Sequence, residues 1–148
     1  MDNQTQKEID EIIKRRNLPP EVAFSLLRMA NDLWVKMDEK FGDPKTIKEH
    51  FQRKHVVSNF VTRQKRRLIC LIHYGGDPPK CDCCGERIIE FLTIDHNGIK
   101  PDKKFRSGDN LYGWLIKNNF PKGFRVLCLN CNHHIGHYGW CPHERENK

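Results

Sequence analysis

The chain has no apolar run approaching the length of a membrane span, and its first ten residues are polar apart from Met1 and Ile9. These absences exclude a helix-spanning membrane protein and supply no secretory leader. The expectation is an intracellular protein, cytoplasmic or nucleoid-associated, that is not secreted and has no membrane partner. Apolar side chains are also scarce, at 37% against 30% charged, which argues against one large core. A small core with a metal staple is expected instead. An even cysteine count is lacking too, since seven thiols cannot all pair, so a disulfide scaffold is disfavoured and reduced, metal-binding thiols are favoured. Internal repeats and low-complexity tracts are absent. A length of 148 residues suits one domain, or a small domain with an appended helical unit.

What is present is positive charge, unevenly placed. The formal net charge is +7, of which residues 1–60 hold 11 basic and 10 acidic side chains and residues 61–148 hold 15 and 9. Thiolates bound to a metal would take back part of the excess in the second half, which still favours a polyanion such as DNA.

Helical periodicity dominates the first half. Ile9, Ile12 and Ile13 share a face in residues 5–17, where Thr5 and Glu8 match a capping box. Asn17 and Pro19-Pro20 end that element. A second helix runs from there to about Lys40, with Val22, Phe24, Leu26, Leu27, Met29, Ala30, Leu33, Trp34 and Met37 in a broad apolar face and Gly42 and Pro44 at its exit. A third covers roughly 45–73, ambiguous at Val56–Asn59, and carries the basic run Arg63-Gln64-Lys65-Arg66-Arg67. Gly75, Gly76, Pro78 and Pro79 then break the chain. Residues 88–94 read as a strand ending at Asp95, Asn97-Gly98 as a turn, 99–110 as a basic surface loop and 109–118 as a helix. Phe124–Leu127 read as a short strand and a final helix begins near Asn132. The division expected is a helical region over 1–67, serving a protein partner or a homodimer, and a second domain over 68–148.

The chemistry-bearing residues lie in that second domain. Cys81-Asp82-Cys83-Cys84 and Cys128-Leu129-Asn130-Cys131 each place two residues between cysteines, a spacing that aims both sulfurs of a tight turn at one metal. Cys81, Cys84, Cys128 and Cys131 thus form a candidate structural zinc site, the 43 residues between the turns being ample to fold around it. Four thiolates leave no open coordination position, so this zinc is a frame and not a catalyst. Buried free cysteines are the competing reading. Cys83 lies inside the first turn and is set apart from the ligands, and Cys70 reads as a core thiol. His137, Cys141 and His143 are a candidate second metal site, against tail packing.

Asp95-His96, at the end of an expected strand, can turn two side chains toward one centre. A carboxylate suits hard Mg²⁺ or Mn²⁺, and a neutral imidazole suits proton abstraction from water. Asn132 is tied by its cysteine neighbour to the zinc frame and offers a second oxygen. An ordinary surface turn, and a helix cap at Asn132, are the plainer alternatives.

The stretch from His73-Tyr74-Gly75-Gly76 through the first cysteine turn, Phe91-Leu92-Thr93-Ile94-Asp95-His96-Asn97-Gly98, Trp114-Leu115, Phe120-Pro121, Phe124–Cys128, Asn130-Cys131-Asn132 and Cys141-Pro142-His143 resembles the zinc-bearing HNH, or His-Me finger, endonucleases of phages and mobile elements. The resemblance covers about residues 68–143. It implies an α+β fold: a small zinc-stabilised ββα-metal nuclease domain following the N-terminal helical region. It also implies that Asp95 and Asn132 hold a catalytic Mg²⁺ or Mn²⁺ while His96 activates water. Phosphodiester hydrolysis would then leave 5′-phosphate and 3′-hydroxyl ends on DNA. Lys103, Lys104, Arg106, Lys65, Arg66 and Arg67 are candidate phosphate contacts. The chain departs from the family in the loop 99–106 and in having Ile135, where many members place lysine before the glycine. A catalytically inactive, zinc-stabilised nucleic-acid-binding module is the alternative expectation.

Overall fold

The computed structural model describes residues 3–14, 20–97 and 108–146. Asn17, Pro19, the loop cations Lys103, Lys104 and Arg106, and the Thr5 and Glu8 side chains lie outside the described residues. The chain divides into two compact units, Met1–Arg66 and Arg67–Lys148.

The first unit is helical: α1 (Asn3–Lys14), α2 (Pro20–Phe41) and the first part of α3 (Ile47–Gly75). Pro20 opens α2, where its missing N–H removes no helical bond. Val22, Leu26, Ala30 and Trp34 recur at the four-residue spacing that lines one helix face, and all are buried, whereas Phe24, expected in the apolar face, falls off that stripe and is exposed. Gly42 ends α2 with φ +68, a left-handed backbone that glycine adopts without a Cβ penalty, and its N–H reaches the Asp38 carbonyl at 2.7 Å. α3 starts where the Thr46 hydroxyl accepts the Glu49 N–H at 3.2 Å and the Glu49 carboxylate accepts the Lys45 N–H at 2.8 Å. Its buried stripe is not purely apolar, because Arg53 and Lys65 share it with Val57 and Val61. Arg53 is accommodated by an ion pair with Asp38 and a bond to the Gly42 carbonyl. The helix runs unbroken through Val56–Asn59, which settles the ambiguity at those residues.

The second unit is α+β. After the end of α3 come β1 (Leu92–Asp95), α4 (Gly108–Lys117), β2 (Arg125–Cys128), α5 (Leu129–Tyr138) and α6 (Pro142–Glu146). β1 and β2 pair antiparallel, with Leu92 opposite Cys128 and Asp95 opposite Arg125. Leu92, Ile94, Val126 and Leu127 are buried, as are Leu111 and Leu115 on α4 and Leu68 and Leu71 on α3. α5 packs against both strands. At the end of α3 the backbone runs so close to β2 that a Cβ on Gly75 would meet Val126 Cγ2 at 2.8 Å. Glycine is required there by contact.

The strand expected over 88–94 begins later. Ile89–Phe91 form a single 3₁₀ turn and only Leu92–Asp95 join the sheet. The reason is local capture of the backbone. The Glu86 carboxylate accepts the N–H groups of Arg87 and Ile88, each at 2.8 Å, and Phe91 N–H bonds back to the Ile88 carbonyl. The Arg67 guanidinium takes the carbonyls of Ile89 and Leu92. With these groups satisfied, the ladder starts where β2 can meet it.

Among the described residues no helix is long and apolar enough to cross a membrane.

Candidate metal centre and active site

Two chain reversals build the candidate metal centre. In the first, Gly85 N–H returns to the Cys81 carbonyl at 3.0 Å, Cys81 N–H reaches the Glu86 carbonyl at 2.8 Å, and Gly85 takes φ +76. Asp82 N–H donates to the Val126 carbonyl at 2.9 Å, fixing this turn to β2. The second reversal is the junction of β2 and α5. Cys128 caps α5 in an extended conformation, its sulfur accepting the Cys131 N–H at 3.4 Å. The helix therefore starts at Leu129, three residues before the expected position, and Asn132 lies within its body rather than at its cap.

The thiol sulfurs of Cys81, Cys84, Cys128 and Cys131 lie within 4.8 Å of one another. Tetrahedral zinc with bonds of about 2.3 Å holds sulfurs about 3.8 Å apart. The Cys84–Cys128 separation is 3.7 Å, so this donor set fits zinc in both chemistry and span. Burial alone raises the Cys81 thiol, but hydrogen bonds from the backbone at Cys84, Cys128 and Cys83 bring it below the ordinary value. Such donors stabilise a thiolate, which is the form that binds metal.

A second group adjoins the first. Cys83, Cys131, Cys141 and His143 place their ligand atoms within 4.8 Å of one another. His143 Nδ1 is 3.4 Å from the sulfurs of both Cys131 and Cys141. Cys141 and His143 are thus brought together as the sequence suggested, but His137 lies outside the group and its ring sits 4.5 Å from that of His133. Spacing alone set Cys83 aside; its place became visible only when the 141–143 segment returned to the first turn.

Cys70 stays out of both groups. It is fully buried, its sulfur is 3.7 Å from the Tyr112 carbonyl, and burial pushes its thiol up to about 12.

Asp95 and His96 sit at the exit of β1. The Arg125 Nε donates to Asp95 Oδ2 at 2.9 Å from the directly opposed position of β2. The pairing depends on strand register, which the spacing of residues along the chain does not display. The His96 ring is 5.7 Å from that of the buried Phe124. Its Nε2 is buried and has no hydrogen-bond partner among the described residues. Asn132 is half-buried on α5, the helix that packs against the same two strands.

The basic run at the end of the third helix divides by environment. Lys65 is buried, Arg67 spends its guanidinium on two carbonyls, and Arg66 is exposed.

Comparison with known proteins adds no relative: no family model, no curated protein and no solved structure matches the chain.

Proposed function

We propose that residues 67–148 form a metal-dependent DNA endonuclease of the HNH kind, which hydrolyses phosphodiester bonds to leave 5′-phosphate and 3′-hydroxyl ends. The observation that carries this reading is the unpartnered, buried Nε2 of His96. Buried polar atoms are nearly always satisfied, so one left open at the exit of β1 is where a water or substrate oxygen would bind. Two antiparallel strands followed by a packed helix also match the layout that the resemblance implies.

In this mechanism His96 Nε2 takes a proton from the water that attacks phosphorus. Phe124 packs beside the imidazole, with ring centres 5.7 Å apart. Arg125 holds one carboxylate oxygen of Asp95, fixing the direction of the other. Asp95 and Asn132 supply the oxygens that would hold Mg²⁺ or Mn²⁺, ions suited to such hard ligands. When bound, the ion offsets charge on the phosphate and the departing 3′-oxygen. Zinc at Cys81, Cys84, Cys128 and Cys131 only fixes the frame. The positive charge of the second half favours the DNA backbone, with Arg66 an exposed cation beside it in sequence. Phe24, Phe41, Ile47 and Phe51 are exposed on the first unit and support its use as a docking surface, for a homodimer or another protein.

The test is His96→Ala assayed on supercoiled DNA with added Mg²⁺ or Mn²⁺. Cleavage should fall by roughly 10²–10⁴-fold, the usual contribution of a general base, while zinc content and fold are retained. Undiminished cleavage would remove His96 from the mechanism. The Asp95–Arg125 ion pair favours a second reading, a zinc-stabilised nucleic-acid-binding module without catalysis, because the carboxylate already has a cation. Salt-sensitive DNA binding with no cleavage in either metal would select it.

A further inference from the structure

We propose that the cysteine centre is dinuclear: a second zinc ion is held by Cys83, Cys141 and His143 and shares the Cys131 thiolate with the first. Cys131 belongs to both donor groups, and in each the ligand atoms lie within 4.8 Å of one another. Tetrahedral zinc with one nitrogen and one sulfur ligand separates those atoms by about 3.5 Å. His143 Nδ1 lies 3.4 Å from Cys131 Sγ and 3.4 Å from Cys141 Sγ. Cys131 and Cys141 are each 1% exposed, so two of the four donors are buried, while Cys83 and His143 lie nearer solvent.

The local chain geometry prepares the second position. Cys81 and Cys84 of the first reversal belong to the first donor group, and the intervening Cys83 belongs to the second. Gly139 ends α5 with φ +75, and its N–H returns to the Ile135 carbonyl at 2.9 Å. This reversal leads the chain back to Cys131. There Glu144 N–H bonds to the Cys141 carbonyl at 3.0 Å, fixing the short turn that presents Cys141 and His143 together. Two thiolates accompany the second dication, so filling it leaves the formal charge of the cluster unchanged. A single bridging thiolate satisfies four-coordination at both ions without another ligand, which makes the second site closed and structural. The proposal is independent of whether Asp95 and His96 cleave DNA.

The full chain, purified with zinc, is weighed by native mass spectrometry and its metal counted by elemental analysis. Two zinc ions per chain are expected; saturation at one overturns the proposal. Cobalt replacement tests the bridge in the unaltered protein, because two Co²⁺ ions sharing a thiolate couple magnetically. Two uncoupled ions would overturn the shared role of Cys131. Cys83→Ser with His143→Ala should lower the count from two to one and expose the chain after Tyr138 to protease. A variant that still binds two ions assigns the second to other residues and overturns the ligand set. If the variant fails to fold, the count and the coupling measured on the unaltered chain decide the matter.

Discussion

Tyr74 shows how a single side chain ties two segments together. Its hydroxyl donates to the Pro121 carbonyl at 2.8 Å, and burial, with the nearby Cys70, pushes its ionisation up to about 12 from an ordinary 10.0. The folded state therefore favours the neutral phenol. That stabilisation is complete below the unfolded value and is lost as pH rises through 10 toward about 12. Tyr74→Phe should cost about 1 kcal/mol near neutrality, the usual net worth of one hydrogen bond. Its deficit relative to the parent should shrink across the alkaline range, which urea unfolding at several pH values will measure. A deficit unchanged between pH 8 and pH 11.5 would contradict the assignment. At this scale the sequence displayed donor types better than donor environments. Cys81, Cys84, Cys128 and Cys131 were legible because ligand spacing is a local property. Arg125 and the shared use of Cys131 were not, because they follow from strand register and from a distant segment folding back.

Between residue and domain, Arg67 is the piece on which β1 depends. Its Nη2 alone donates to both carbonyls, of Ile89 and Leu92, bracketing the 3₁₀ turn and the first strand residue. Methionine keeps much of the apolar stem but offers neither carbonyl a donor. Arg67→Met should destabilise the second unit by roughly 1.5–3 kcal/mol, the range for hydrogen bonds to charged groups. Hydrogen exchange at the β1 amides should rise with it; unchanged exchange would mean that the Glu86 turn alone fixes the strand. Helices were the most legible elements, since Val22, Leu26, Ala30 and Trp34 print their face directly in the sequence. The short strand was overextended because Ile88, Ile89 and Phe91 favour β structure in isolation. Glu86 and Arg67 take their backbone groups instead, a competition that propensity does not register.

For the whole molecule, the division of labour follows composition. The first unit buries a stripe from α2, with Ile9 from α1 and Val57 and Val61 from α3. Among its described residues the second has two four-residue strands, beside cysteine groups that could hold metal. Structural zinc contributes an apparent binding free energy of about 10–16 kcal/mol in small domains, enough to decide whether such a unit folds. Chelation should therefore unfold residues 67–148 while leaving helical signal from the first unit. Circular dichroism with limited proteolysis will register both parts. Retention of protease resistance across the second unit after complete zinc removal would show that its apolar core suffices.

The candidate metal ligands also impose a timetable. Three come from the turn at 81–84, two from 128–131, and the final Cys141 and His143 follow α5. During synthesis the helices of the first unit can pack as they emerge, since domains generally fold from the N-terminal side onward. The earliest cysteines must wait, reduced and uncommitted, for partners made more than forty residues later. Because Cys131 immediately precedes Asn132, the same late event that closes the metal cluster also seats the last residue assigned to cleavage. On the proposed nuclease reading, a nascent chain could not cleave DNA before that closure, and its maturation would be set by the supply of zinc.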